Sequence, residues 1–338
     1  MVLGGNMEKV FIIAEAGVNH NGNFDIAKEL CYKAKEAGAD AVKFQTWITE
    51  KIITRTVRQA DYQLNNTHTN QSQFEMLKNL ELGYDKFRKI KEYCDEIGII
   101  FSSTADEQDS LDFLIDIGIP FIKVGSGDIG NISYLEYIGR KKRPIILSTG
   151  MSSLADVENS LNALRKGGAD EIALLHCTTS YPCPYDMVNL RAMDTLKQAF
   201  GLQVGYSDHT IGIEVPIAAV ALGAKIIEKH FTLDRNMVGP DHIASTEPDE
   251  FNKMVTGIRN VECAMGTGRK VPTNMEKEIS KVVLKKIVAY KNIPHGKVIE
   301  ESDLCVKRSD RGLPASAWNI IIGTKARKDF KVDEGIEI

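Results

Sequence analysis

The chain has 338 residues, of which 43% are hydrophobic and 26% are charged, a balance typical of soluble globular proteins. A net charge of -4 without a stripe of lysine and arginine argues against nucleic-acid binding, and no apolar run approaches the length of a membrane span. Residues 1–9 lack the charged start and apolar core of a signal peptide, so we expect a cytoplasmic protein. The six cysteines show no CxxC spacing and predict reduced thiols.

Eight short apolar runs alternate with helical patterns up to about residue 265. Runs of this kind are typical of parallel strands that are covered on both faces. The strands are predicted at residues 10–14, 41–46, 99–103, 121–124, 144–147, 172–177, 202–206 and 224–228. The clearest helices are predicted at residues 24–37, 84–98, 154–166 and 248–265. The most economical arrangement of these elements is an α/β fold of the (β/α)8 TIM barrel type.

A doubly wound open sheet is the alternative fold. The stretch Gly125-Ser126-Gly127-Asp128-Ile129-Gly130 follows a predicted strand and matches the G-x-G-x-x-G fingerprint of dinucleotide-binding folds. That fingerprint also requires an acidic residue at the end of the next strand, but this strand ends in Leu147-Ser148-Thr149-Gly150. We therefore favour the barrel, in which the carboxyl ends of all strands converge on one mouth.

Two local features between the second and fourth strands also yield predictions. Residues 47–79 are polar, with little periodicity before Gln71, and are predicted to form a long loop. Thr104 is predicted to cap the next helix, because Glu107 stands three residues later in the capping-box position.

The pattern changes after the barrel. We divide the chain into a barrel domain at residues 1–270, a charged and partly helical linker at 271–281, and a small β-rich domain at 282–338. A domain of about 55 residues is marginally stable alone. We therefore expect it to pack on a partner surface.

Two histidines follow the seventh and eighth strands, His209 and His230. The Ala-rich segment 215–223 between them predicts a helix, with Pro216 suited to its first turn. A strand-helix-strand unit makes the two strands parallel and places both histidines at the same edge. Two neutral imidazoles there could bind a divalent metal and leave positions for substrate, although ordinary strand-end histidines are the other interpretation.

Two lysines, Lys43 and Lys123, lie inside otherwise apolar strands. A buried lysine is costly unless it faces an anion. Phosphoenolpyruvate carries a phosphate and a carboxylate, which two ammonium groups and nearby hydroxyls could hold together. Glu15 and Asp128 are candidate proton-transfer groups or ligands for sugar hydroxyls. The serine hydroxyls predicted at the same mouth are those of Ser126, Ser148 and Ser207.

Motifs along nearly the whole chain resemble those of sialic acid synthases. They lie at residues 12–22, 42–46, 123–128, 147–151, 176–178, 206–210 and 228–231. Residues 306–308 and, less specifically, 321–323 resemble the antifreeze-like (SAF) domain of the same family. Residues 59–63 and 16–19 look closer to the legionaminic acid synthase branch.

This resemblance implies that phosphoenolpyruvate condenses with an N-acylated mannose-type sugar. In such enzymes C3 of phosphoenolpyruvate attacks the open-chain aldehyde, water adds, and phosphate leaves by C–O cleavage. The acceptor is N-acetylmannosamine, giving N-acetylneuraminate, or a 2,4-diacetamido-6-deoxymannose, giving N,N'-diacetyllegionaminate. Several bacterial members have Glu where this chain has Asp128, and some have Asn at Thr179, so these positions leave the acceptor open.

The same resemblance implies roles for individual residues. His209 and His230 would bind Mn²⁺, with Mg²⁺ or Co²⁺ as alternatives. Arg308 would reach the sugar in the partner's barrel through a domain-swapped homodimer. The implied catalytic residues are Glu15, Lys43, Lys123 and Asp128, and the implied substrate-binding residues in the barrel are Gln45, Thr104, Ser126, Ser148, Thr179, Tyr181, Ser207 and Asp241.

Two other functions remain as alternatives. A related aldol-type synthase that uses a phosphorylated aldose would need a second cluster of arginines, and the strand ends carry no such cluster. A carbohydrate- or ice-binding protein would agree with the C-terminal resemblance. Such a protein would not need two buried lysines and a histidine pair at the barrel mouth.

Overall fold

The computed structural model describes residues 9–67 and 71–337. Residues 1–8, which include most of the segment used for the signal-peptide expectation, lie outside this part. The chain divides into two units, of which the first ends at Gly266 and the second begins at Thr267. None of the helices in the described part is long and apolar enough to cross a membrane.

The first unit contains a closed barrel of eight parallel strands. Each strand pairs with the next along the chain, and the eighth pairs with the first. The strands are β1 (Phe11–Gly17), β2 (Ala41–Thr46), β3 (Ile100–Ala105), β4 (Ile122–Val124), β5 (Ile145–Ser148), β6 (Ile172–Cys177), β7 (Gln203–Asp208) and β8 (Ile226–His230). This closure confirms the (β/α)8 prediction and excludes the open doubly wound sheet.

Helices connect the strands of the first unit. They are α1 (Phe24–Glu36), α2 (Thr49–Ile52), α3 (Asp61–Thr67), α4 (Gln73–Leu80), α5 (Tyr84–Ile97), α6 (Gln108–Asp116), α7 (Ile132–Gly139), α8 (Leu154–Gly167), α9 (Ala192–Phe200), α10 (Glu214–Ala221) and α11 (Pro248–Met265). Local signals account for two of these helix ends. The side chain of Asn23 accepts hydrogen bonds from N–H groups in the first turn of α1. Helix α5 ends at Gly98, whose φ of +72° suits glycine.

The prediction of a loop over residues 47–79 is wrong, because helices α2, α3 and α4 lie in this segment. A capping box of Ser72 and Glu75 starts α4. Its residues Met76 and Leu80 pack with Val18 into a small apolar cluster. The apolar stripe of α4 spans only two turns, so its periodicity is too short to stand out from the polar residues around it.

The prediction that Thr104 caps a helix is also wrong. Thr104 lies inside β3, and Glu107 is itself the N-cap of α6, accepting from the N–H groups of Asp109 and Ser110 at 2.6 and 3.0 Å. The strand extends two residues beyond its predicted end. The hydroxyl of Thr104 is therefore available to accept a hydrogen bond from Lys43 at 3.0 Å.

The second unit contains helix α12 (Asn274–Val283), the antiparallel pair β9 (Lys285–Ala289) and β10 (Leu304–Arg308), and the short helix α13 (Trp318–Ile321). Its own apolar core includes Ile287, Leu304 and Phe330. Arg308 is the last residue of β10 and is exposed.

Alternation along the strands places the polar side chains of the barrel. Residues two apart on a strand point to the same face, and the apolar filling of the barrel interior includes Ile13, Ala41 and Phe121. The inward positions two residues later carry Glu15, Lys43 and Lys123. The interior therefore changes from apolar to charged towards the carboxyl ends of the strands, where active sites of this fold lie.

Candidate active site

Two lysines and two carboxylates form a buried network at the barrel mouth. The Nζ atom of Lys43 lies 2.6 Å from Oε2 of Glu15 and 3.7 Å from Oε2 of Glu228. The Nζ atom of Lys123 lies 3.5 Å from Oε1 of Glu228. All four side chains are buried. Because burial removes water from these charges, the two ammonium groups depend on the carboxylates for compensation.

The two carboxylates of this network differ in proton affinity. Burial raises the pKa of Glu15, nearby Glu228 adds to the effect, and Lys43 only partly offsets it. Burial would also raise the pKa of Glu228, but Lys123 and Lys43 outweigh it and lower this pKa. Glu228 is therefore the stable anion that balances the lysines. Glu15 is the carboxyl group able to gain or lose a proton near neutral pH.

Hydroxyl groups hold the ends of the lysines. Thr104 accepts from Lys43 at 3.0 Å, and Ser148 accepts from Lys123 at 2.8 Å. The hydroxyl of Ser207 donates to Glu228 at 3.0 Å. The three hydroxyls come from β3, β5 and β7, and their partners come from β2, β4 and β8. The barrel thus brings together donors and cations that are distant in sequence.

His209 and His230 face each other beside this network, with ring centroids 5.4 Å apart. Nδ1 of His209 lies 2.8 Å from the carbonyl oxygen of Thr178. Because a carbonyl only accepts, Nδ1 carries the proton and Nε2 keeps its lone pair. Nδ1 of His230 is buried without a hydrogen-bond partner among the described residues. Burial lowers the pKa of both imidazoles, so both are neutral near pH 7.

This pair fits the donor set that a divalent metal requires. Neutral imidazole nitrogens are common ligands for such ions. Nδ1 of His230, which no described residue contacts by a hydrogen bond, is a buried polar position that an ion could use. Across residues 9–67 and 71–337, no three His, Cys, Asp and Glu side chains gather in a way that could hold a metal. A bound ion would therefore take most of its ligands from water or substrate.

The network and the histidines line one cavity of about 190 Å³. We refer to it as the inner compartment. It brings together most of the predicted site residues: Glu15, Lys43, Gln45, Thr104, Lys123, Ser126, Ser148, Thr179, Tyr181, Ser207, His209 and His230.

A second cavity of about 120 Å³ adjoins the first, and we refer to it as the outer compartment. The two share Gln45, Tyr181 and His230 as lining residues. Asp241 lines the outer compartment, and burial raises its pKa to about 6.

Among the predicted site residues of the first unit, Asp128 lines neither cavity. Asp128 is half-buried in a 3₁₀ turn (Ser126–Asp128) and accepts from Nδ2 of Asn131 at 3.1 Å. Burial raises the pKa of Asp128. Arg308, the remaining predicted site residue, belongs to the second unit.

The sequence analysis assigned no role to two acidic residues of the inner compartment, Glu228 and Asp106. Burial raises the pKa of Asp106 to about 7, with Asp128 contributing. The strand period could have identified both, because Glu228 stands two residues before His230 and Asp106 two residues after Thr104.

Comparison with known proteins assigns the family. The model of the NeuB family matches residues 30–270, and that of the SAF domain matches residues 286–337. The chain belongs to the NeuB family. The N,N'-diacetyllegionaminic acid synthase of Campylobacter jejuni is 46% identical over 97% of this chain and 99% of that protein. The enzyme of the same name from Legionella pneumophila is 44% identical over 95% of this chain and 91% of that protein.

More distant relatives extend the same comparison. The human N-acetylneuraminate-9-phosphate synthase is 35% identical over 98% of this NeuB-family chain and 92% of its own length. Among solved structures, the N-acetylneuraminic acid synthetase of Leptospira borgpetersenii matches with a TM-score of 0.72 and 36% identity. That match covers 82% of this chain and 92% of the other. The recognition of the sialic acid synthase family from the motifs is confirmed.

Proposed function

We propose that the protein is a nonulosonic acid synthase that condenses phosphoenolpyruvate with an N-acylated mannose-type sugar and releases phosphate. We further propose 2,4-diacetamido-6-deoxymannose as the acceptor and N,N'-diacetyllegionaminate as the product. The observation that carries the reaction class is the buried pair of lysines beside a pair of neutral imidazoles in one cavity. The acceptor is supported by the names of the 46% and 44% identical relatives.

Phosphoenolpyruvate is proposed to bind on the lysine side of the inner compartment. Lys43 and Lys123 would exchange part of their contact with Glu15 and Glu228 for the phosphate and carboxylate of the substrate. Such charge-assisted hydrogen bonds are stronger than neutral ones, and they act here in a site with little water. Hydroxyl groups of Ser126, Ser148 and Ser207 would supply further donors.

The open-chain aldehyde is proposed to lie beside the histidines. His209 and His230 would hold a divalent ion, Mn²⁺ being our first choice, and this ion supplies Lewis-acid polarisation when bound. Glu15 is our first choice for the carboxyl that handles the water that adds after C–C bond formation, because it lies 2.6 Å from Lys43 and its raised pKa allows it to take up a proton near neutral pH. Glu228 would remain ionised and keep the lysines in place.

The test is a side-by-side measurement of phosphate release from phosphoenolpyruvate with the two candidate acceptors. We expect turnover with both N-acetylmannosamine and the 2,4-diacetamido-6-deoxy sugar, and a higher kcat/KM with the latter. Addition of a chelator should stop release, and Mn²⁺ should restore it. No phosphate release with any acylated amino sugar would contradict the function, and a preference for N-acetylmannosamine would favour N-acetylneuraminate as the product.

A histidine variant with a matched control tests the metal site. His230→Ala should abolish metal-dependent phosphate release while circular dichroism stays unchanged. His295→Ala, which removes an exposed imidazole in the second unit, serves as the control. Full activity in His230→Ala would refute the metal assignment. The domain-swapped homodimer, the contact of Arg308 with sugar and the cytoplasmic location are further parts of this proposal.

A further inference from the structure

The outer compartment is lined by two chemically different groups of side chains. One group is polar and includes Gln45, Gln63 and Asp241. The other group is apolar and consists of Val18, Met76, Leu77 and Leu80, which we call the apolar wall. None of the described residues that line this compartment is a lysine or an arginine.

The apolar wall is an ordered part of the barrel unit. Val18 follows β1, and Met76 and Leu80 belong to α4. These three residues pack with buried Trp47 into one cluster. Nearby, the side-chain amide of Asn66 donates to the carbonyl of Pro240 at 2.7 Å and ties α3 to the loop that carries Asp241. The wall is therefore held by packing and hydrogen bonds before any ligand enters.

The position of the apolar wall determines which end of the acceptor sugar it would contact. This step rests on the proposed function, in which the sugar aldehyde lies beside His209 and His230. His230 lines both compartments. With C1 held at the histidines and phosphoenolpyruvate on the lysine side, the chain of the sugar extends away through the outer compartment. The end of the chain that carries C6 is then the part of the sugar farthest from the histidines.

We propose that the apolar wall receives the C6 methyl group of a 6-deoxy sugar and thereby determines the acceptor class. A methyl group gains from contact with Val18, Met76 and Leu80, since this contact removes apolar surface from water. A 6-hydroxyl group would lose hydrogen bonds to water there without finding a partner. A 6-phosphate would meet apolar side chains and no lysine or arginine among the described lining residues.

The test compares two acceptors that differ only at C6, namely 2,4-diacetamido-6-deoxymannose and its 6-hydroxy counterpart. We expect the wild-type protein to prefer the 6-deoxy sugar by about 10- to 100-fold in kcat/KM, the range over which apolar pockets discriminate small groups. A wild-type ratio near one would overturn the inference while leaving the synthase function intact. If neither sugar gives phosphate release, the proposed function fails and the inference falls with it.

Variants at Met76 test the wall directly. Met76→Gln keeps the length of the side chain and adds an amide, so it should bring the ratio of the two kcat/KM values to within about threefold of one. Met76→Leu keeps an apolar surface and should retain the wild-type ratio. Met193→Gln is the matched control. Met193 in α9 is 4% exposed, close to the 3% of Met76 in α4, and it lines neither compartment.

The pattern of ratios separates a specificity role from loss of stability. If both glutamine variants lose activity equally and keep the wild-type ratio, the wall does not select the acceptor and the inference is refuted. If Met76→Gln does not fold, the wild-type ratio and the Met76→Leu ratio decide the question. A wild-type preference that Met76→Leu preserves would then support the inference, and absence of a wild-type preference would refute it.

Discussion

Asp241 offers a test in which stability and activity should change in opposite directions. Asp241 is 8% exposed, and its carboxylate receives no hydrogen bond or ion pair from the residues that the structure describes. Burial raises its pKa from 3.8 to about 6. This difference in pKa corresponds to about 3 kcal/mol of destabilisation once the group is ionised in both the folded and the unfolded state.

The sign of the pH dependence follows from the raised pKa. The folded protein binds this proton more tightly than the unfolded chain, so the wild type loses stability as the pH rises from about 4 to about 6. Above pH 7 the folded state carries the full cost. Asp241→Asn removes the charge but still buries an amide, so we expect it to recover about 1–3 kcal/mol at pH 8. The corresponding rise in Tm is about 2–4 °C per kcal/mol.

Thermal unfolding of the wild type and Asp241→Asn at pH 8 and pH 4.5 measures this effect. The variant should be more stable at pH 8, and the part of its advantage that comes from the charge should fall to about one third at pH 4.5. If Asp241 binds the acceptor, the same variant should raise KM for the sugar by about tenfold or more and leave KM for phosphoenolpyruvate unchanged. Asp170→Asn, at an exposed position, is the control. An equal gain at both pH values, or a loss at pH 8, would refute the reasoning.

Three further substitutions address other parts of the chain. Lys43→Met leaves the buried carboxylate of Glu15 without its neighbouring cation and should lower the free energy of unfolding by about 3–5 kcal/mol, measured by urea denaturation at pH 8. A stability unchanged from wild type would show that this lysine does not compensate the charge of Glu15. Gly150→Ala places a Cβ against the hydroxyl of Thr179 and should reduce kcat/KM for phosphoenolpyruvate by about 10- to 100-fold. Undiminished turnover would mean that this hydroxyl does not contact the substrate. Arg308→Ala should raise KM for the sugar more than KM for phosphoenolpyruvate; equal effects in steady-state assays would argue against the contact across subunits.

Short-range patterns in the chain were enough to predict the barrel. Near-continuous apolar strands, helical stripes and turn residues are local features, and each strand read from them agrees with the structure to within about two residues at most ends. Because a buried lysine is costly unless it faces an anion, Lys43 and Lys123 could be assigned to the barrel mouth in advance. The two histidines could be placed at the carboxyl ends of adjacent strands, because a strand-helix-strand unit makes these strands parallel.

The segment between β2 and β3 shows where local patterns fail. Helix α4 has a capping box, but its apolar stripe is only two turns long. The stripe becomes part of an apolar core only by packing against Val18 and Trp47, which are distant in the chain. Helical propensity over so few residues is marginal, and tertiary packing supplies most of the stability. The outer compartment, which depends on α4, was therefore absent from the predictions.

Electrostatic pairing likewise depends on distances across the barrel. The strand pattern places Glu15, Lys43 and Glu228 inside the mouth, yet it does not tell which ammonium group lies 2.6 Å from which carboxylate. Those separations follow from the register between neighbouring strands and from the closure of β8 on β1. Local alternation thus determines which residues face the cavity, while closure of the barrel sets the distances between them. Because electrostatic energies between buried charges depend steeply on distance, the sequence pattern alone does not determine them.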